Sequence, residues 1–299
     1  MQLDQYYIAI DIGGTEIKYG ILDASAAIFC KSKIETEAWK GGPAILQNLI
    51  RIVGEILAEG NGTCAGICIS TAGVVDVKRG SIISAAPLIP NYAGTKLKET
   101  LENEFHIRCE AENDVNCAGL AEAYSGAAYG YESAVMLTVG TGIGGCILFN
   151  GAVYHGSRNY AGEIGYLWLG DEDFQNQGAA SVLCKKVAMQ KGNTEVWNGV
   201  RIFEAAKAGD KICINAIDEM TDCLGKGIAN LCYVLNPEVV VLGGGIMAQQ
   251  EYLEKRLNSA LDRYLISDMR THTQLAFAKH QNDAGMIGAF YHFKNASFR

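Results

Sequence analysis

Apolar residues in this chain gather in short runs that end on glycine, and these runs alternate with stretches of helical period. Residues 6–11 read as a buried strand, Gly13 and Gly14 as a turn, and 17–22 as the returning strand of a hairpin. A further strand is predicted over 65–71. Helices follow over 94–105 and 115–124, with a short strand over 108–112 between them. The first half thus alternates strand and helix.

The second half opens as the first does, with an apolar strand over 134–139, a glycine-rich turn over 140–145 and a strand over 146–149. Aligning residues 10–13 with 137–140 keeps both strand-to-turn junctions in register, which points to an internal duplication. After 162–169 the pattern turns mostly helical. Cys213, Ile217, Met220, Leu224, Leu231 and Leu235 recur at helical spacing and predict a long core helix that Pro237 ends. An apolar strand over 239–242, a turn at Gly243-Gly244-Gly245, a helix over 251–264 and a last helix over 283–294 complete the pattern. The strand and helix runs place a boundary between halves near 112–115.

A chain of 299 residues exceeds the usual size of one hydrophobic core, so two lobes with a cleft between them are expected. With 49% hydrophobic and 19% charged residues and only 4 prolines, it reads as compact and globular. A formal net charge of -8 argues against a nucleic-acid surface, so an anionic ligand would need a local device such as oriented backbone amides or a metal ion. The ten cysteines include no C-x-x-C, which suggests neither zinc nor a redox pair. The start has no basic segment followed by a long apolar one, and apolar runs elsewhere fall far short of ~18 residues. No membrane contact and a reducing cytoplasm are expected.

Gly140-Thr-Gly142-Ile-Gly-Gly145 satisfies G-x-G-x-x-G, but a dinucleotide fingerprint must open a helix and here a β-prone run follows. No G-x-x-x-x-G-K-[ST] is present. Glycines in a strand-turn-strand loop let backbone N–H groups point at phosphate oxygens. Each loop alone is more simply a tight hairpin. Two such loops behind apolar strands, and a third at 243–245, favour a polyphosphate ligand.

Asp11-Ile-Gly-Gly-Thr15, Gly140-Thr-Gly-Ile-Gly-Gly145 and Leu242-Gly-Gly-Gly245 together resemble the two phosphate loops and the adenosine loop of the actin-like ATPase superfamily. Within that superfamily the chain resembles the ROK group of sugar kinases. The match extends through Ser70-Thr-Ala-Gly-Val-Val-Asp76, Glu112-Asn-Asp-Val-Asn116 and Ala161-Gly-Glu-Ile-Gly165, in the family's order. The resemblance implies an α/β fold with a duplicated ribonuclease-H-like core and a central cleft that closes over sugar and ATP with Mg2+. The lobes would be 1–114 and 115–283, a helix over 284–299 returning to the first. For ATP it implies Asp11, Gly13, Gly14, Thr15, Lys18, Thr138, Gly140, Thr141, Gly142, Gly243 and Gly244, with Asp11 near magnesium mostly through water. On the sugar side it implies Gly73, Asn91, Asn113, Asp114, Glu163 and Tyr166, with Asp114 the catalytic base.

The chemistry asks for such a set, since a sugar hydroxyl is a poor nucleophile and a carboxylate must accept its proton as it attacks. From the residues alone Asp114 is more simply a helix N-cap, Glu163 a surface carboxylate, Asn91 a turn residue and Lys18 a solvated or loop-bracing lysine.

Many members carry a histidine after the Gly-Glu-x-Gly element and a cysteine cluster that together hold structural zinc. Here Tyr166 takes that place, 167–183 contain no cysteine and Cys184 stands alone, so no zinc is expected. The related repressors carry a DNA-binding helix-turn-helix before the first phosphate loop, and the ten residues ahead of Asp11 leave no room for one. A sugar kinase is expected over a DNA-binding regulator or a non-catalytic sensor. The acceptor implied is the 6-hydroxyl of glucose or of a β-glucoside, with Tyr166 or Trp168 open to stack on a second ring; N-acetylmannosamine is the alternative. The resemblance also implies a homodimer.

Overall fold

The computed structural model describes residues 4–60, 62–85, 89–192 and 196–296. The chain forms two compact units, the first made of the chain up to Tyr124, His155–Tyr160 and the chain from Asn282 on, the second of Ser125–Tyr154 and Ala161–Gln281.

In the first unit β1 (Gln5–Ile12), β2 (Glu16–Leu22) and β3 (Ile28–Glu35) form an antiparallel meander, and α1 (Gly42–Glu59) leads to β4 (Thr63–Thr71), which runs parallel to β1. A small hairpin follows, β5 (Val74–Asp76) with β6 (Ser81–Ser84). Then α2 (Leu97–Phe105), β7 (Cys109–Asn113) and α3 (Asp114–Ser125) complete this stretch. The sheet order is β3-β2-β1-β4-β7.

β1 is apolar almost throughout because both faces are covered. Ile8, Ile10 and Ile12 pack with Ile45 and Leu49 of α1 and with Leu97 and Leu101 of α2. α1 earns its helix from Pro43 in the first turn and from apolar residues at 45, 49, 52 and 53, which form one stripe.

The second unit repeats the plan. β8 (Ser133–Val139), β9 (Ile143–Phe149) and β10 (Ala152–Val153) form the meander. An exposed hairpin of β11 (Trp168–Leu169) and β12 (Glu172–Asp173) precedes the helices α4 (Phe174–Gly178), α5 (Ala180–Lys191), α6 (Gly199–Lys207) and α7 (Lys211–Leu235). Then come β13 (Val239–Gly243), α8 (Gln250–Tyr264), α9 (Ser267–His272) and β14 (Gln274–Phe277). The order β10-β9-β8-β13-β14, with β13 parallel to β8 and β14, matches that of the first sheet. The duplication expected from the hairpins is therefore a duplication of ribonuclease-H-like topology.

Asp210 caps α7 by accepting from the amides of Ile212 and Cys213, and Asn236 closes the helix in the left-handed region at φ 46°. Cys213, Ile217, Met220, Leu224 and Leu231 form the centre of the second core.

The last helix, α10 (Ala284–Ala296), packs on β1, β4 and β7 in the first unit. Its ring of Phe290 meets Tyr7 edge-on at 4.9 Å. Tyr291 stacks on Tyr124 of α3 at 4.6 Å, and the Tyr124 hydroxyl donates to Asn295 Oδ1 at 3.0 Å. This packing holds α3 in the first unit. The units therefore divide after Tyr124, where the pattern alone placed the boundary near 112–115.

Candidate functional site

Parallel pairing puts the C-terminal ends of β1, β4 and β7 side by side, and the register aligns Asp11 with Ser70 and Ser70 with Glu112. Chemistry-bearing residues thus meet at one end of the sheet because three parallel strands end together. Ser70 Oγ donates to Asp11 Oδ1 at 2.7 Å, and Lys18, opposite Asp11 on β2, sits 4.0 Å from Oδ2. Lys18 Nζ also donates to Asn282 O at 3.5 Å, which braces the hairpin. Burial raises the Asp11 pKa, offset by the Ser70 hydrogen bond and the Lys18 charge. A Cβ at Gly285 would collide with the Asp11 carboxylate, so a glycine in the first turn of α10 makes room for it.

One residue past β7, Asp114 opens α3. The helix is capped by Asn113 and not by Asp114: Asn113 Oδ1 accepts from the amides of Val115 at 2.9 Å and Asn116 at 3.0 Å. Asn113 Nδ2 donates to Gly73 O at 3.0 Å and to Asp114 Oδ1 at 2.9 Å. Both donors and both lone pairs of this amide are therefore in use. Asp114 Oδ1 also receives the Val115 amide at 2.9 Å. Its pKa is pushed up to about 7, by burial first and by the Asp11 charge second, against the hydrogen bonds from Val115 and Asn113. The half-buried Asp114 is therefore a carboxylate of nearly neutral pKa, the property a general base needs.

Gly73 holds φ 95° with its Cα against Ser84 O of β6, so a side chain there is excluded on both counts. Asn91 is exposed and sits at φ 53°. Gly42 at the start of α1 donates to Pro90 O at 3.0 Å and fixes this corner.

Glu112 was missed as a site residue. It is 1% exposed, yet its Oε1 accepts from the Asn113 amide at 2.8 Å and from Asn116 Nδ2 at 3.0 Å. Its Oε2 lies 2.6 Å from His155 Nε2 and 3.3 Å from His292 Nδ1. Burial alone would raise its pKa; the His155 hydrogen bond and the His292 charge outweigh this and hold it low. Because Glu112 is ionised, His155 Nε2 carries the shared proton.

The glycine turns are built alike. In the first, the Gly13 amide bonds Glu16 O at 3.0 Å, and Thr36 Oγ1 donates to Gly13 O at 2.7 Å. Among the described residues nothing accepts from the amides of Gly14 and Thr15.

In the second unit the turn spans Gly140, Thr141 and Gly142, and Gly144 and Gly145 belong to β9. Gly145 is a strand glycine because a Cβ there would strike Ile164 and the Gly162 carbonyl. Ser181 at the start of α5 donates its amide to Gly140 O at 3.2 Å and its hydroxyl to Thr141 O at 2.6 Å. With the carbonyls tied back, the amides of Thr141 and Gly142 have no acceptor among the described residues, and a Cβ at Gly140 would meet open space. Thr138 pairs with Gly243 of β13, and Gly244, at φ 98°, packs against Val139. Exposed amides on two such turns suit phosphate oxygens.

Glu163 is exposed, with its pKa raised by partial enclosure of the carboxyl. Tyr166 is 62% exposed and Trp168 72% exposed. Among the described residues no group of three or more His, Cys, Asp or Glu is placed to hold a metal ion. No helix among them is long and apolar enough to cross a membrane.

The model of the ROK family matches residues 7–296. The chain belongs to the ROK family. An uncharacterized protein of Clostridium perfringens is 45% identical to this ROK chain over 289 residues, 96% of this chain and 97% of its own. The β-glucoside kinase of Listeria innocua is 32% identical over 294 residues, 95% of this chain and 96% of its own. A crystal structure of a ROK family glucokinase from Streptomyces griseus, in complex with glucose and AMPPNP, matches with a TM-score of 0.82 at 25% identity. That match covers 95% of this chain and 97% of the other, and the shared fold is that of the actin-like ATPases.

Proposed function

We propose that this ROK protein is an ATP-dependent sugar kinase in which Asp114 accepts the proton of the attacking sugar hydroxyl. The observation that carries the reading is a carboxylate of near-neutral pKa, held on two hydrogen bonds at the end of β7. At neutral pH a large fraction is ionised, and its affinity for a proton is far higher than that of an ordinary aspartate. The Streptomyces griseus glucokinase, which binds glucose and AMPPNP, supports sugar and ATP as the ligand classes.

The free amides of Gly14, Thr15, Thr141 and Gly142 are assigned to phosphate oxygens, and Gly243 and Gly244 to the adenosine side. Magnesium, when bound with ATP, neutralises charge on the phosphates. Asp11, held in place by Ser70 and Lys18, is the carboxylate that fits its water shell. Asn91, Asn113, Glu163 and Gly73 are assigned to the sugar side, Asn113 acting through its brace between Gly73 and Asp114. The family resemblance supports a cytoplasmic homodimer.

The acceptor we infer is the 6-hydroxyl of a glucose unit, free or within a β-glucoside. The Listeria innocua β-glucoside kinase supports it, as do the exposed rings of Tyr166 and Trp168, whose apolar faces suit a second sugar ring. Comparing kcat/KM for glucose, cellobiose, an aryl β-glucoside and N-acetylmannosamine tests this. A glucoside or glucose should lead. If N-acetylmannosamine outpaces both, the acceptor is an amino sugar and the stacking role of these rings is wrong.

A further inference from the structure

The second half of the chain leaves its own unit for the six residues His155–Tyr160, which belong to the first unit although Tyr154 and Ala161 on either side do not. That excursion brings His155 to the fully buried Glu112, 43 positions earlier in the chain. A buried ion without partners is expensive, and here both carboxylate oxygens have them. Oε2 faces His155 and, from α10, His292; Oε1 takes the Asn113 amide and the Asn116 side chain from β7 and α3. The Cys117 thiol on α3 also lies close by, and burial pushes its pKa far up, so it stays neutral.

From Glu112 the connection runs in two steps. Its hold on the Asn113 amide and on Asn116 sets the residue that caps α3 and the residue whose amide is capped. Asn113 Nδ2 then grips Asp114 Oδ1. We propose that His155 is a positioning residue for phosphoryl transfer, acting through Glu112 and Asn113 to aim the Asp114 carboxylate at the acceptor hydroxyl. The inference rests on the sugar-kinase reading above and adds to it a residue outside every motif that suggested that reading. His155 neither touches substrate nor moves a proton in this role, so its loss should lower turnover and leave sugar binding nearly intact.

Steady-state kinetics of wild type, H155A, H155Q, E112Q and the E112Q/H155A pair, each shown to melt cooperatively, test it. Misaiming a base costs turnover steeply, so H155A should lower kcat by at least ~10-fold with sugar KM changed less than ~3-fold. H155Q keeps an N–H donor within reach of Oε2 and should recover to within ~3-fold of wild type. The double variant should be no worse than E112Q alone, because both substitutions break one connection. If H155A does not fold, H155N, whose amide falls short of Oε2, takes its place. A kcat for H155A near wild type, equal losses in H155A and H155Q, or additive losses in the double variant would overturn the inference alone. Absence of sugar-dependent turnover in wild type would instead overturn the sugar-kinase reading, and this inference with it.

Discussion

Asp114 shows at the scale of one residue how the role we assign to it competes with stability. Its carboxyl titrates near 7 because burial and the neighbouring Asp11 disfavour its charge. The folded-state pKa is therefore raised above the unfolded value, and between pH ~4 and ~7 the folded protein binds the extra proton. Stability contributed by that proton is present at low pH and is lost as pH rises through the folded pKa. Asp114→Asn removes the charge while keeping an oxygen that can receive the Val115 amide. It should therefore be more stable than wild type at pH 8, by up to ~4 kcal/mol, with the difference vanishing toward pH 4. Thermal melts across that range check the sign; a variant less stable than wild type at pH 8 would mean that Asp114 is not held against its own charge. The same titration predicts that kcat/KM rises with pH toward a plateau above about 7, as the pair Asp11 and Asp114 loses its last proton.

At the scale of elements, the glycine turns are where backbone and ligand should meet. Gly140→Ala places a methyl into open space, so folding should be unaffected. If the Thr141 and Gly142 amides receive phosphate, that methyl crowds the ligand and KM for ATP should rise at least ~10-fold while sugar KM holds. An unchanged KM for ATP would remove this turn from the nucleotide site. The turns were legible in the sequence because glycine after an apolar run has few other uses, as were β1, β4, β8, α7 and β13, whose apolar spacing is unbroken.

Other elements were not read. β3 is an edge strand, largely exposed and carrying Lys31 and Lys33, so it shows little burial pattern to detect. α1 carries a plain signal in Pro43 and its apolar stripe, yet none of the elements read from the sequence lies between the first hairpin and the strand over 65–71. The choice of cap at α3 turned on where β7 ends. β7 runs through Asn113, which makes Asn113 the cap and releases Asp114 from that duty. Glu112, His155 and Gly285 could not be read as site residues, since each owes its place to a partner far away in sequence.

On the scale of the whole molecule, a duplicated topology gives each unit one glycine hairpin and a distinct set of polar residues beside it. The first unit carries the paired carboxylates Asp11 and Asp114 and the second carries Glu163 and the exposed Tyr166. ROK membership over residues 7–296 supplies the frame, and the titration of Asp114 supplies the chemistry that we assign to it. The most direct test is ADP release from ATP with magnesium, measured with and without glucose or a β-glucoside, in wild type and in Asp114→Asn. The account predicts sugar-dependent ADP formation that requires magnesium and falls at least ~100-fold in the folded variant. Sugar-dependent ADP release at near wild-type rate in Asp114→Asn would contradict it.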